Sequence, residues 1–167
     1  PPTDRTVAAL SSEAAAAASS DGGVLVLCRG RGTAATRAEQ VAQLLPERPQ
    51  TALRGAVERY ASTELGASCD LVDLLKHGVA YHHSGLPPEL RWLIESLIKS
   101  QDVSVVTGTT TLAQGVNFPI RSVIIETLTK GNVPLSYSDF WNIAGRAGRA
   151  LLDEVGVVMF PTGTPKR

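Results

Sequence analysis

Cysteine is scarce in this sequence, and long apolar runs are missing from it. The 167 residues include two cysteines, Cys28 and Cys69, without CxxC spacing and without histidines at zinc-ligand intervals. This pattern indicates a reducing, cytoplasmic protein and predicts no metal site. No stretch of about 18 consecutive apolar residues occurs, and the amino terminus has no signal-peptide pattern, so no membrane association is expected.

The sequence also has no excess charge of either sign. Sixteen basic and sixteen acidic residues give a formal net charge of zero, so any contact with nucleic acid has to be local. Apolar residues make up 43% of the chain and charged residues 19%, which is typical of a folded globular domain. The length predicts one such domain. Because the sequence begins at Pro1 without an initiator Met, we expect this chain to be part of a longer protein.

A phosphate-binding P-loop is missing as well. Such a loop needs Gly-Lys followed by Ser or Thr, and no lysine of this chain follows a glycine. The chain alone is therefore not expected to hold the β- and γ-phosphates of ATP. Residues 30–35 imitate the dinucleotide fingerprint GxGxxA, but residues 46–49, where a second strand with an acidic residue should end, have no strand pattern.

The apolar residues that are present alternate between strand and helix patterns. Short apolar runs predict five strands, at residues 24–27, 79–82, 103–107, 122–126 and 156–160. Helices are predicted at 5–19, 33–45, 52–65, 68–76, 87–98 and 138–147, with Thr33 and Ser138 as two of the N-caps. Runs that are apolar on both faces are typical of parallel sheets. The sequence therefore predicts a doubly wound, mainly parallel α/β fold with its function at the carboxyl ends of the strands.

A Thr-rich loop after the predicted strand 103–107 is the first candidate site. It reads TGTTTLAQGVNFP from Thr107 to Pro119. Small hydroxyl side chains and backbone N–H groups near a helix start hold phosphates without reading bases, and Gly115 allows a ligand to approach the backbone closely. A Thr-rich turn that only caps a helix is an equally weighted alternative.

The segment Gly145-Arg146-Ala147-Gly148-Arg149 is the second candidate site. Its two arginines are three residues apart, so a helical turn places both guanidinium groups on one side. Guanidinium forks suit phosphate oxygens and stabilise the charge that builds on a transferring phosphoryl group. A solvated basic helix end is the alternative, against which the flanking glycines argue because they destabilise a helix without an evident structural reason.

Together these segments resemble the C-terminal motor domain of superfamily 2 helicases, in particular the superkiller-like branch. Four motifs carry the resemblance in order: VLVLCRG at 24–30, HHSGLPPELR at 82–91, TGTTTLAQGVNFP at 107–119 and NIAGRAGR at 142–149. The resemblance implies a RecA-like domain at residues 24–167, preceded by a helix and linker at 1–23. It also implies an ATP-dependent helicase that is inactive as this fragment. ATP with Mg²⁺ would be held mainly by a first motor domain of the same polypeptide, and the partner would be an RNA or DNA strand.

The same resemblance implies roles for individual residues. Arg146 and Arg149 would act as arginine fingers toward the ATP γ-phosphate. Contacts to the nucleotide are implied for Gly115, Asn117 and Asn142. Contacts to the nucleic-acid strand are implied for Thr109, Thr111, Arg29, His83, Gly85 and Arg91.

The sequence departs from the helicase pattern at two places. Asn142 stands where the branch usually has Gln, and Cys28 with Arg29 stands where it usually has Ser or Thr. The departure at Asn142 keeps open an alternative function, a non-catalytic module that retains the helicase fold and binds nucleic acid or protein.

Two pairs of ring side chains have both a functional and a structural interpretation. Trp92 and Trp141 suit stacking on bases, but a tryptophan on an amphipathic helix belongs more often to the core. We therefore predict that both tryptophans belong to the core. His82 and His83 are adjacent, so an extended chain points them to opposite faces and they do not share one metal.

Overall fold

The computed structural model describes residues 6–66, 69–110, 118–130, 133–148 and 155–163. Its elements, in chain order, are α1 (Val7–Ala18), β1 (Gly23–Leu27), α2 (Arg31–Ala42), α3 (Ala52–Leu65), α4 (Asp70–Lys76), β2 (Val79–His82), α5 (Pro88–Lys99), β3 (Val105–Gly108), β4 (Ile120–Ile125), β5 (Thr129–Lys130), β6 (Val133–Pro134), α6 (Tyr137–Ala144) and β7 (Val157–Met159). Within the described ranges, no helix is long and apolar enough to cross a membrane.

The main sheet has five parallel strands in the order β2-β3-β1-β4-β7. Its central strand β1 is buried from Val24 to Leu27, as are all residues of β2 and β3. Helices cover the sheet, and this explains why the strands are continuously apolar rather than alternating. The predicted parallel α/β fold is confirmed. The short antiparallel hairpin formed by β5 and β6 was not predicted.

The alanine-rich helix α1 packs against α2, β1 and β4. Thr6 caps it by accepting a hydrogen bond from the amide of Ala9 at 3.2 Å, and Ala15 is completely buried. Small side chains let a helix lie close to the sheet, so the low-complexity run serves packing as well as helix propensity. The division of the chain between residues 23 and 24 stays a prediction.

Two predicted helix N-caps are wrong. Only three residues separate the end of β1 from the start of α2 at Arg31. Gly30 is the N-cap of this helix, so Thr33 lies inside it. Helix α6 is capped by Ser136 instead of Ser138. The Ser136 hydroxyl oxygen accepts from the amide of Asp139 at 3.1 Å, and its O–H donates to the Asp139 carboxylate at 2.8 Å, which holds the capping side chain in place.

The prediction that both tryptophans belong to the core is wrong. Trp92 is 64% exposed and Trp141 is 54% exposed. Helix α5 buries the face that carries Leu90 and Ile94, and Trp92 lies two residues from each of them. Two residues along a helix correspond to about 200° of rotation, which turns the indole away from the core.

Candidate functional site

The carboxyl ends of β2, β3 and β1 lie side by side and form one edge. Both β1 and β2 end in register with Gly108 of β3, and the amide of Cys28 donates to the Gly108 carbonyl at 2.7 Å. Three residues with predicted nucleic-acid contacts follow these strand ends: Arg29 after β1, His83 after β2 and Thr109 after β3. Parallel pairing therefore brings together residues that are far apart in the sequence.

The loop after β2 is held in a defined shape around His83. The His83 ring stacks on Tyr81 with centroids 5.4 Å apart, and its Nδ1 accepts from the amide of Gly85 at 3.1 Å. Arg31 donates from its guanidinium to the Ser84 hydroxyl at 2.9 Å, which ties this loop to the start of α2. Burial, with a further contribution from the charge of Arg31, lowers the pKa of His83. Near neutral pH the ring is therefore uncharged and suited to accept a hydrogen bond at Nδ1.

A Cβ atom added at Gly85 would approach Nδ1 of His83 and the Arg31 guanidinium at 3.1 Å each. The small residue keeps room for both side chains in this loop.

The neighbouring His82 points to the other side of the strand, as predicted. It is 5% exposed, and its Nε2 lies 3.1 Å from the Glu95 carboxylate on α5. Burial lowers the pKa of His82, although the Glu95 hydrogen bond acts in the opposite direction. Arg91 belongs to the same cluster, since its charge acts on His82 and its Nε is buried without a hydrogen-bond partner. Arg91 therefore lies on α5 near His82 of β2, beside the loop rather than within it.

A buried ion pair beneath the edge was missed by the sequence analysis. Arg37 of α2 pairs with the carboxylate of Glu126, which directly follows β4, and it also donates to Gln40. The two side chains are 6% and 5% exposed. The signal was a lone acidic residue directly after an apolar strand, whose partner the sequence could not identify. Burial and the nearby Glu126 raise the pKa of the Cys28 thiol, so it is neutral and is not a nucleophile.

Arg146 lies in a turn beyond the end of α6. The helix ends at Ala144, three residues before its predicted end, and the amide of Arg146 donates to the carbonyl of Ile143 at 3.1 Å. The side chain is half-buried, and burial lowers its pKa from the ordinary arginine value, although the guanidinium stays charged at neutral pH.

The glycines around Arg146 have structural functions, and this weakens the argument against a purely structural turn. A Cβ on Gly145 would lie 2.8 Å from the carbonyl oxygen of Trp141. Gly148 has a φ of +89°, in the left-handed region, and its amide donates to the carbonyl of Ile120 at 3.0 Å. Gly156 packs directly on this turn, against the carbonyl of Ala147. The expectation that these glycines lack a structural reason is wrong.

The remaining predicted nucleotide and strand contacts divide into described and undescribed residues. Asn142 is exposed on α6, three residues before the turn at Gly145. Thr111, Gly115, Asn117 and Arg149 lie outside the described residues. The predicted placement of both arginines on one side of a helical turn therefore stays a prediction.

An exposed aromatic cluster is formed by α6 and the residue after β7, beside this turn. Trp141 contacts Tyr137 edge-on with centroids 5.9 Å apart and Phe140 at 5.5 Å, and Phe140 stacks on Phe160 at 6.2 Å. Tyr137 is 80% exposed and Phe160 is 48% exposed. Exposed aromatic clusters of this kind are typical of surfaces that another chain or domain covers.

Comparison with known proteins defines the class to which this fold and edge belong. The family described as "Helicase conserved C-terminal domain" matches residues 37–151, more than half of the chain. The chain therefore belongs to the family of helicase C-terminal domains, and the predicted membership of superfamily 2 is confirmed.

Three known proteins are similar in sequence to this chain. The chain is 34% identical over 148 residues to the ATP-dependent DNA helicase Hel308 of Methanocella arvoryzae, covering 81% of this chain and 20% of the relative. It is 33% identical over 138 residues to the "Helicase POLQ-like" protein of Caenorhabditis elegans, covering 79% and 15%. The Hachiman protein HamB of Bacillus cereus is 40% identical over 106 residues, covering 62% and 9%. The chain thus spans at most about a fifth of the length of these relatives.

A solved structure confirms the fold. The DUF1998 helicase MrfA, bound to DNA and AMPPNP, superposes with a TM-score of 0.65 over 99% of this chain and 19% of that chain, at 18% identity. The superkiller-like branch, by contrast, stays a prediction.

Proposed function

We propose that this chain is the second motor domain of an ATP-dependent nucleic-acid helicase. The observation that carries the proposal is the shared edge at which Arg29, His83 and Thr109 follow three neighbouring strands. The matched relatives named ATP-dependent DNA helicases, which are far longer than this chain, support DNA as the strand and a first motor domain in the same polypeptide.

Along this edge the strand would be held through its phosphates. Arg29 is exposed, and Gly85 and His83 belong to one hydrogen-bonded loop, so a charge and polar groups line the same side of the sheet. Thr109 and Thr111 would add hydroxyl contacts, and Arg91 would contribute at the start of α5. Contacts of this kind position a strand without reading its sequence. The neutral total charge agrees with binding that is confined to this edge.

The chain would supply half of an ATP site. Arg146 is half-buried next to an exposed aromatic surface that a neighbouring domain would cover, and Asn142 lies on the same helix. With Arg149, Gly115 and Asn117, these residues fit the sugar and γ-phosphate side of a nucleotide. ATP with Mg²⁺ supplies the phosphoryl group that is transferred to water, and the first motor domain would hold its β- and γ-phosphates, because this chain has no P-loop. The isolated chain would be inactive.

The test is the ATPase rate of the intact protein with and without single-stranded DNA and RNA. Stimulation by one polymer is expected, and Arg146→Ala and Arg149→Ala should each lower the stimulated rate on the order of a thousandfold. Arg59→Ala on the exposed side of α3 is the matched control and should leave it unchanged. An unchanged rate in both arginine variants would show that the domain is a non-catalytic binding module with a helicase fold.

A further inference from the structure

An open cleft lies between α3 and α5, apart from the edge described above. It has a volume of about 440 Å³ and is lined by Tyr60, Pro88, Glu89, Trp92 and Leu93. Trp92 is one of the two tryptophans in the chain, and it is 64% exposed. A large aromatic side chain left in solvent at a concave surface is typical of a recognition site.

Helix geometry assembles this cleft from both sides. On α5, Glu89 is three residues before Trp92 and four before Leu93, so these side chains share one face. On α3, Glu64 is four residues after Tyr60 and lies on its face. Helix α5 therefore lines the cleft with Trp92 and Glu89, and α3 lines it with Tyr60, which has Glu64 one helical turn away.

The charge of the cleft is negative. Glu64 and Glu89 are both exposed. Partial burial and the charges of Glu64 and Glu89 raise the pKa of Tyr60. Neither neighbouring arginine lines the cleft: the Arg59 guanidinium lies near Gly55, and Arg91 lies near His82.

We propose that this cleft binds a basic, apolar segment of a partner protein, with an arginine or lysine of the partner over Trp92 and between Glu64 and Glu89. An indole face attracts a cation, more strongly when carboxylates lie beside it. The volume exceeds that of one basic side chain, so a neighbouring apolar side chain fits against Leu93 and Pro88. Two acidic groups repel phosphates, and this distinguishes the cleft from the nucleic-acid edge.

A peptide titration tests the proposal. The chain carrying Trp141→Phe keeps Trp92 as its single tryptophan, so its emission reports on the cleft alone. The probes are a capped, labelled Gly-Arg-Leu-Arg-Leu-Gly peptide, its Gly-Glu-Leu-Glu-Leu-Gly counterpart and a single-stranded oligothymidylate. We expect the basic peptide to change Trp92 emission and its own anisotropy with one saturation curve, and the acidic peptide to bind at least about tenfold more weakly.

Substitutions then locate the binding. Glu64→Gln and Glu89→Gln should each raise the Kd of the basic peptide about two- to fivefold, the range of exposed charge pairs. Trp92→Ala should abolish saturable binding, and Trp92→Phe should restore part of it. Glu39→Gln and Glu47→Gln, exposed carboxylates elsewhere, are matched controls that should leave the Kd unchanged. Thermal melts of all variants verify that the fold is kept.

Three outcomes would overturn the proposal: no binding of the basic peptide up to millimolar concentration, equal binding of the acidic peptide, or displacement of the basic peptide by the oligothymidylate. ATPase activity is not measured here, so a failure of this proposal is distinguishable from a failure of the motor-domain proposal.

Discussion

The buried guanidinium of Arg37 on α2 pairs with the carboxylate of Glu126 at the end of β4, across 89 positions of the sequence. The second guanidinium contact, from NH2 to Oε2, measures 3.3 Å, so the fork engages both carboxylate oxygens. This pair joins α2, which follows β1 in the sequence, to the end of β4, which pairs with β1 in the sheet. Arg29 of the proposed strand-binding edge lies between β1 and α2. It is therefore a structural support of that edge.

Removing one member of this pair should destabilise the fold strongly. Arg37→Ala leaves a carboxylate in a site that is 5% exposed, and we expect the free energy of unfolding to fall by about 3–5 kcal/mol in urea titrations. Arg37→Met combined with Glu126→Met should recover much of this loss, because no unpaired charge remains. Arg59→Ala on the surface should change stability by less than about 0.5 kcal/mol. A loss as small as that of the surface variant would show that the pair is not buried.

Two glycines should respond in opposite directions to the same substitution. Gly148→Ala puts a side chain at a φ of +89° and 3.2 Å from Gly156, so unfolding free energy should fall by roughly 1–2 kcal/mol. Gly32→Ala, in the first turn of α2 with no atom within 4 Å, should raise it by about 0.5–1 kcal/mol. Equal effects of the two substitutions in thermal melts would contradict this assignment of the turn.

The stability should depend on pH through His82. Burial holds its pKa in the folded state below the ordinary value of 6.5, so the unfolded chain binds the proton more readily. The contribution of His82 is therefore present above about pH 6.5 and is lost as the pH falls toward the folded pKa. Urea titrations between pH 5 and 7.5 should show a shallower dependence for His82→Gln than for the wild-type chain. A parallel pair of pH curves would exclude this contribution.

Salt dependence tests the role of Arg29 in the proposed strand-binding edge. Arg29→Ala should weaken the binding of the intact protein to oligothymidylate and lower the slope of log K against log salt by roughly 0.7, as one lost phosphate contact does for a single strand. Anisotropy titrations at several sodium chloride concentrations measure this slope. Arg59→Ala is the control variant. An equal slope of log K against log salt in the two variants would show that Arg29 does not contact a phosphate of the strand.

Local patterns in the sequence were sufficient for most elements. The runs at 24–27 and 79–82 became β1 and β2 with nearly the predicted bounds, because a strand covered on both faces needs continuous apolar residues. The bounds of α3 were also predicted correctly, because its N-cap Thr51 and the spacing of its apolar residues are signals within the segment itself. The end of α6 was placed too late, because the turn after it depends on Gly148, which contacts Gly156 and donates to the carbonyl of Ile120 on β4.

The sequence by itself determined the α/β class, the order along the chain of the helices and of the five strands of the main sheet, and the four motifs that place the chain among helicases. The tertiary structure alone decided the strand order β2-β3-β1-β4-β7, which brings Arg29, His83 and Thr109 to one edge. It also decided the pairing of Arg37 with Glu126 and the exposure of Trp92. The reason is physical: hydrophobic periodicity acts within a segment, whereas burial and ion pairing depend on which distant segments pack together.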